Sequence, residues 1–140
     1  MGMNKARPIS MYAQGGMLRH IFPDSTLKIV KFGKGLIWEG KLQPSELSIS
    51  YDIRIEYNMG RNPDIYVISP NPLPLAKGAT KLPHIYSNPE KQHLCLYHRR
   101  MNEWNARKMI AKTIIPWTSE WLLHYEIWVI TGVWHGGGIH

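Results

Sequence analysis

Residues 47–57 alternate apolar and polar without a break. Leu47, Ile49, Tyr51, Ile53, Ile55 and Tyr57 fall on one side, and Ser48, Ser50, Asp52, Arg54 and Glu56 on the other. A period of two sends successive side chains to opposite faces, so this run predicts a strand with one face in a core. Three shorter β-like runs surround it. Residues 26–32 alternate, residues 36–42 resume after the hairpin signal Gly33-Lys34-Gly35, and residues 65–68 come after a turn at 58–63. The connections are short, so the expectation is a four-stranded antiparallel meander.

Helical spacing flanks the strands. Met11, Tyr12, Met17, Leu18, Ile21 and Phe22 predict a short N-terminal helix that ends before Pro23. Gly15 and Gly16 weaken that helix by roughly 1 kcal/mol each relative to Ala. Near the other end, Pro116 suits a first helical turn, Trp117, Trp121, Tyr125 and Trp128 recur every three or four residues, and Gly132 offers a stop. This stripe predicts a helix packed on the sheet. Between strands and helix, residues 70–89 contain Pro70, Pro72, Pro74, Pro83 and Pro89. Proline lacks a ladder donor, so this segment is expected to be a loop, more mobile than the sheet, that covers or borders Cys95. At 140 residues the chain is the size of about one domain. It is read as a single α+β domain over residues 1–140.

Seventeen Lys and Arg against ten Asp and Glu leave a charge of +7. That balance suits an acidic partner, whether nucleic acid or a protein surface, and equally suits simple solubility. The single cysteine, Cys95, excludes an internal disulfide framework and fits a reducing compartment. No stretch reaches 18 apolar residues, so no membrane span is expected. The seven histidines form no HxxxH or HExxH pair, and no metal or other cofactor is expected. Gly136-Gly137-Gly138 precedes no helix that could hold a phosphate.

Cys95 lies in the island Leu94-Cys95-Leu96-Tyr97, directly after the proline-rich segment and near His84, His93, His98, Arg99 and Arg100. Two readings stand side by side. A cysteine between leucines is a small buried hydrophobe; a thiol among positive groups is a nucleophile. His93 and His98 are expected to be solvated.

Leu82-Pro83-His84-Ile85-Tyr86, then Leu94-Cys95-Leu96, then Glu103-Trp104 and an apolar helix, resembles the active-site stretch of ubiquitin-conjugating enzymes. The order of elements agrees over most of the chain. Residues 113–122, the Tyr125-Glu126-Ile127-Trp128 step and the ending at 131–140 are similar to a divergent bacterial branch, the conjugating-enzyme-like proteins of CBASS antiphage operons. The resemblance implies a ubiquitin-conjugating (UBC-like) fold and a cytoplasmic bacterial protein. It implies that Cys95 carries an acyl group as a thioester, with His84 as its catalytic companion and Pro83, Tyr97 and Trp104 in supporting places. The implied donor is the C-terminus of a cGAS-like nucleotidyltransferase, and the acceptor a protein lysine. His135, Gly136, Gly137, Gly138 and His140 are expected to dock that partner. A nucleic-acid partner rests on charge alone and is not expected. Leu82 stands where the ubiquitin family has His, His84 where it has Asn, and Tyr97 where it has Asp. These departures keep a second class open: a catalytically reduced binding module that docks the nucleotidyltransferase.

Overall fold

The computed structural model describes residues 7–88 and 90–136. A helix, α1 (Met11–Ile21), leads into four strands: β1 (Thr26–Val30), β2 (Gly35–Leu42), β3 (Tyr51–Asn58) and β4 (Asp64–Ser69). A long connection with two short 3-10 turns, at Arg99–Met101 and Ile110–Lys112, reaches the last helix, α2 (Ile114–Thr131). The strands form one antiparallel sheet in the order β1-β2-β3-β4, the expected meander. This is the α+β arrangement of the UBC-like fold.

Register explains the core. Trp38 faces Leu27 on one side and Ile55 on the other, and Ile55 faces Ile65. Leu36, Trp38, Ile53, Ile55, Ile65 and Val67 are almost completely buried on this face. The opposite face is polar: Arg54 pairs with Glu39 and Glu56, and Lys41 with Asp52. One buried and one wetted face is what period-two patterning encodes.

The long alternating run is only partly a strand. β3 begins at Tyr51, while Leu47 and Ile49 are exposed. Ser45, Ser48 and Gln43 hydrogen-bond to one another's side chains and backbone there, closing a local loop instead of continuing the ladder. β1 likewise stops at Val30, short of residue 32, because Lys31 and Phe32 turn left-handed before Gly33.

Both helices end as their residues dictate. Ser10 caps α1 by accepting from the Ala13 amide, and α1 stops before Pro23. Pro116 sits in the first turn of α2, and Gly132 ends it in a left-handed conformation, φ 75°. Gly15 has a positive reason to be glycine: a Cβ there would meet Leu27 Cδ2 at 2.7 Å. Buried Gln14 ties α1 to the long connection, donating to the Lys108 carbonyl and accepting from the Ile110 amide. Glu126 ties α2 to the sheet end by accepting from Tyr51 and Ser48. No described helix is long and apolar enough to cross a membrane.

Candidate functional site

The chain adds two short pieces of ladder beyond β4. The Leu94 amide donates to Ile65 O and the Val67 amide to Gln92 O, so residues 92–94 run beside β4. On their far side, Ile85 bridges Leu94, the Tyr86 amide donates to His93 O, and the Cys95 amide donates to His84 O at 3.0 Å. The proline-rich segment thus forms no strand of its own, and its end, residues 84–86, is held to residues 93–95 by an isolated bridge and two backbone hydrogen bonds. This register sets His84 opposite Cys95 and Tyr86 opposite His93, with Leu94 buried on the other face.

Cys95 is half-buried at the edge of an open cleft of about 440 Å³. The cleft is lined by His84, Ile85, Tyr86, Cys95, Tyr97, His98, Arg99 and Arg100, with no acidic side chain among them. The thiol points its weak donor at the Tyr97 carbonyl, 3.7 Å away. The Arg99 guanidinium lies over the Tyr86 ring, 4.9 Å from its centroid. Burial, reinforced by a hydrogen bond with Cys95, pushes the Tyr86 hydroxyl up to about 12, so it stays protonated beside the thiol. Burial also raises the Tyr97 hydroxyl, against the pull of Arg99.

A charged cluster braces this wall. Arg99 Nη2 donates to Asp64 Oδ1 at 2.8 Å and to the Pro63 carbonyl at 3.1 Å. His93 Nε2 lies 3.1 Å from the same carboxylate oxygen, its ring wedged between Tyr66 and Tyr86. Burial acts to raise the Asp64 carboxyl, but the adjacent His93 ring and the Arg99 guanidinium outweigh it and hold it below the usual range. His93 is thus not the solvated side chain expected from sequence. His98 accepts the Arg100 amide on Nδ1 and its own amide donates to Glu103.

His84 adopts φ 54° and stacks on Trp134, ring centroids 4.4 Å apart. Its carbonyl also accepts the Trp121 indole N–H at 3.1 Å. Pro83 precedes it, half-buried, and Leu82 is in the core. Trp104 does not join the cleft: it is 2% exposed, edge-on to Tyr57, with its indole donating to Thr113 Oγ1. Trp104 supports the core beneath, not the thiol.

The stripe on α2 meets more than the sheet. Trp121 reaches His84, the Tyr125 hydroxyl donates to the Pro74 carbonyl, and Trp117 packs on Tyr97. Of the tail, His135 is exposed, and Gly136 packs so closely on His124 and Trp134 that a Cβ would come within 2.7 Å of both. Gly137, Gly138 and His140 lie outside the described residues.

Sequence reasoning missed Tyr86, Asp64 and the engagement of His93. The available signal was alternation, His84-Ile85-Tyr86 against His93-Leu94-Cys95, hidden because each piece is only three residues long. Among the described residues, no group of three or more His, Cys, Asp or Glu is placed to hold a metal ion.

Residues 14–140 match the family described as "Type II CBASS E2 protein". No curated protein matches the chain.

Proposed function

This chain belongs to the Type II CBASS E2 protein family, and from that premise we propose that it is a conjugating-enzyme-like acyl carrier. Cys95 takes the C-terminal carboxyl of a cGAS-like nucleotidyltransferase as a thioester, and a lysine amine on a protein target then displaces the sulfur. The role is a cytoplasmic step that primes antiphage signalling. One observation carries this reading: the chain's only thiol sits half-exposed at the edge of a cleft with basic side chains and no acidic one. The thiolate is the nucleophile in such a transfer. Covalent capture splits one hard acyl transfer into two easier steps, because sulfur leaves readily when an amine attacks.

Roles derive from position. Cys95 is the nucleophile. His84, directly opposite it in the ladder, is the companion that orients the acyl group, and Pro83 sets the His84 backbone. Tyr97 closes the cleft, and Trp104 supports the core behind it. His135 and the glycines after it dock the nucleotidyltransferase.

Co-expression with the operon neighbours tests this. The expected product is an adduct that survives a non-reducing gel and dissolves with thiol reagents. Cys95→Ala abolishes it with the fold intact, and Cys95→Ser traps an oxygen ester that resists thiols and yields to hydroxide. A conjugate that persists in Cys95→Ala removes the nucleophile assignment. A second reading, a docking module with its chemistry lost, is favoured by Leu82, which the fold places in the core and not at the cleft. It prevails if the wild type forms a complex with the nucleotidyltransferase but no adduct, even with ATP and every operon protein present.

A further inference from the structure

The chain after α2 turns back onto His84. Gly132 ends the helix with φ 75°, and from there Val133 and His135 are exposed while Trp134 and Gly136 are half-buried. The Trp134 indole sits among three rings. It stacks on His84, with centroids 4.4 Å apart and planes 29° apart, and meets Trp121 at 5.4 Å and His124 at 5.8 Å. Gly136 packs against the same group, since a Cβ there would come within 2.7 Å of both Trp134 Nε1 and His124 Cδ2. His84 is a residue that has to be held. Its φ of 54° is left-handed, a conformation costly for any residue with a Cβ, and such residues persist where their surroundings fix them. The Cys95 amide and the Trp121 indole both donate to its carbonyl, and Trp134 covers a face of its ring.

We infer that Trp134 is a positioning residue: residues 132–136 form a strap whose indole fixes the His84 imidazole in the cleft and, through it, sets the reactivity of Cys95. This rests on the reading of Cys95 as the nucleophile and His84 as its companion. His84 and Cys95 stand directly opposite each other in the ladder and line the same cleft, and residues so paired lie about 5 Å apart at Cα. Trp134 is not among the cleft-lining residues, so its influence passes through His84. An imidazole held there takes the thiol proton, directly or through one water, as the sulfur attacks. A ring free to turn away does so for only part of the time. An aromatic stack of this kind favours the held orientation by about twofold to tenfold.

Alkylation of Cys95 by iodoacetamide, followed by intact mass, tests this on the full chain with no partner present. The S–C bond forms, iodide leaves with its electron pair, and the thiol proton passes to the imidazole. Trp134→Ala should slow the reaction by about twofold to tenfold, and Trp134→Phe, which keeps an aromatic face, should restore most of the rate. Gly136→Ala, whose methyl would press on Trp134 and His124, should slow it as well. The deciding comparison is the double variant. On a His84→Ala background, Trp134→Ala should slow nothing further, because two residues that act through one group are not additive. In proton–carbon spectra, the His84 ring signals should lie upfield in the wild type, under the ring current of Trp134, and return to ordinary imidazole positions in Trp134→Ala. The inference is overturned by an unchanged rate in either single variant, by a further slowing in the double variant equal to that seen with His84 intact, or by unmoved His84 signals. If Trp134→Ala does not fold, Gly136→Ala with and without His84 carries the same comparison. The adduct with the nucleotidyltransferase is read separately on the wild type. Its absence sinks the acyl-carrier reading, and the alkylation cycle still decides the strap.

Discussion

The Trp121 indole N–H donates to the His84 carbonyl at 3.1 Å, and that same oxygen accepts the Cys95 amide. A residue at the middle of the last helix thereby fixes the backbone directly opposite the thiol. Trp121 is 4% exposed, so it also fills core volume. Trp121→Ala should cost about 3–5 kcal/mol, read by denaturant unfolding. An unshifted transition would show that the ring is not packed as described.

Two adjacent glycines in α1 should answer oppositely to the same substitution. Nothing lies within 4 Å of a Cβ at Gly16, so Gly16→Ala should stabilise by about 0.5–1 kcal/mol through helix propensity. At Gly15 the new methyl meets Leu27 Cδ2 at 2.7 Å and Leu27 Cδ1 at 3.0 Å. Overpacking of this kind costs about 1–3 kcal/mol, enough to cancel the propensity gain. Thermal melts of the two variants decide it, and equal gains would refute the packing argument.

That pair shows where sequence reading stops. Alternation at Ile53, Ile55 and Tyr57 exposed the sheet because a half-buried strand has no other way to pattern its side chains. The same alternation overran into Leu47 and Ile49, because period two says nothing of whether a ladder partner exists. The Trp stripe and Gly132 marked α2 correctly, yet not that Trp121 and Tyr125 reach across to the proline-rich segment. The resemblance singled out Cys95 and His84, and the fold sets their backbones opposite each other. Asp64 was not, since an acidic residue at a strand start looks like any solvated turn until Arg99 folds back onto it 35 residues later in the chain.

Asp64 should make stability depend on pH in a defined window. Its carboxyl is held below the usual value in the folded protein, so the native state binds its proton less readily than the unfolded chain. The contribution is therefore present above the unfolded value, roughly pH 4, and is lost as pH falls through the lowered native value. The Asp64 and Arg99 side chains are each 31% exposed, so the pair is worth only about 1 kcal/mol after screening by water. Asp64→Asn should destabilise by about that amount at pH 7 and by nothing resolvable near pH 2. A deficit that is constant across that range would mean the loss is packing and not charge.

Gln92 should control the segment that carries His84. It is 8% exposed and makes three hydrogen bonds: Oε1 accepts the Leu73 amide at 2.7 Å, and Nε2 donates to the Val67 and Pro70 carbonyls at 3.1 and 2.8 Å. One side chain thus pins the start of the proline-rich segment, whose Leu73, Ala76 and Leu82 are buried as well. Anchored in this way, the segment should not exchange uniformly. The Leu73, Tyr86 and Cys95 amides, each hydrogen-bonded, should exchange slowly, while the exposed positions around Lys77 and Gly78 exchange fast. Gln92→Ala leaves the Leu73 amide and two carbonyls without that partner and should cost about 2–4 kcal/mol. Exchange at Leu73 should accelerate before exchange at Ile53 or Ile55, because the segment opens locally while the central strand opens only with the whole sheet. Equal acceleration at Leu73 and Ile55 would instead show that the segment and the sheet unfold as one unit.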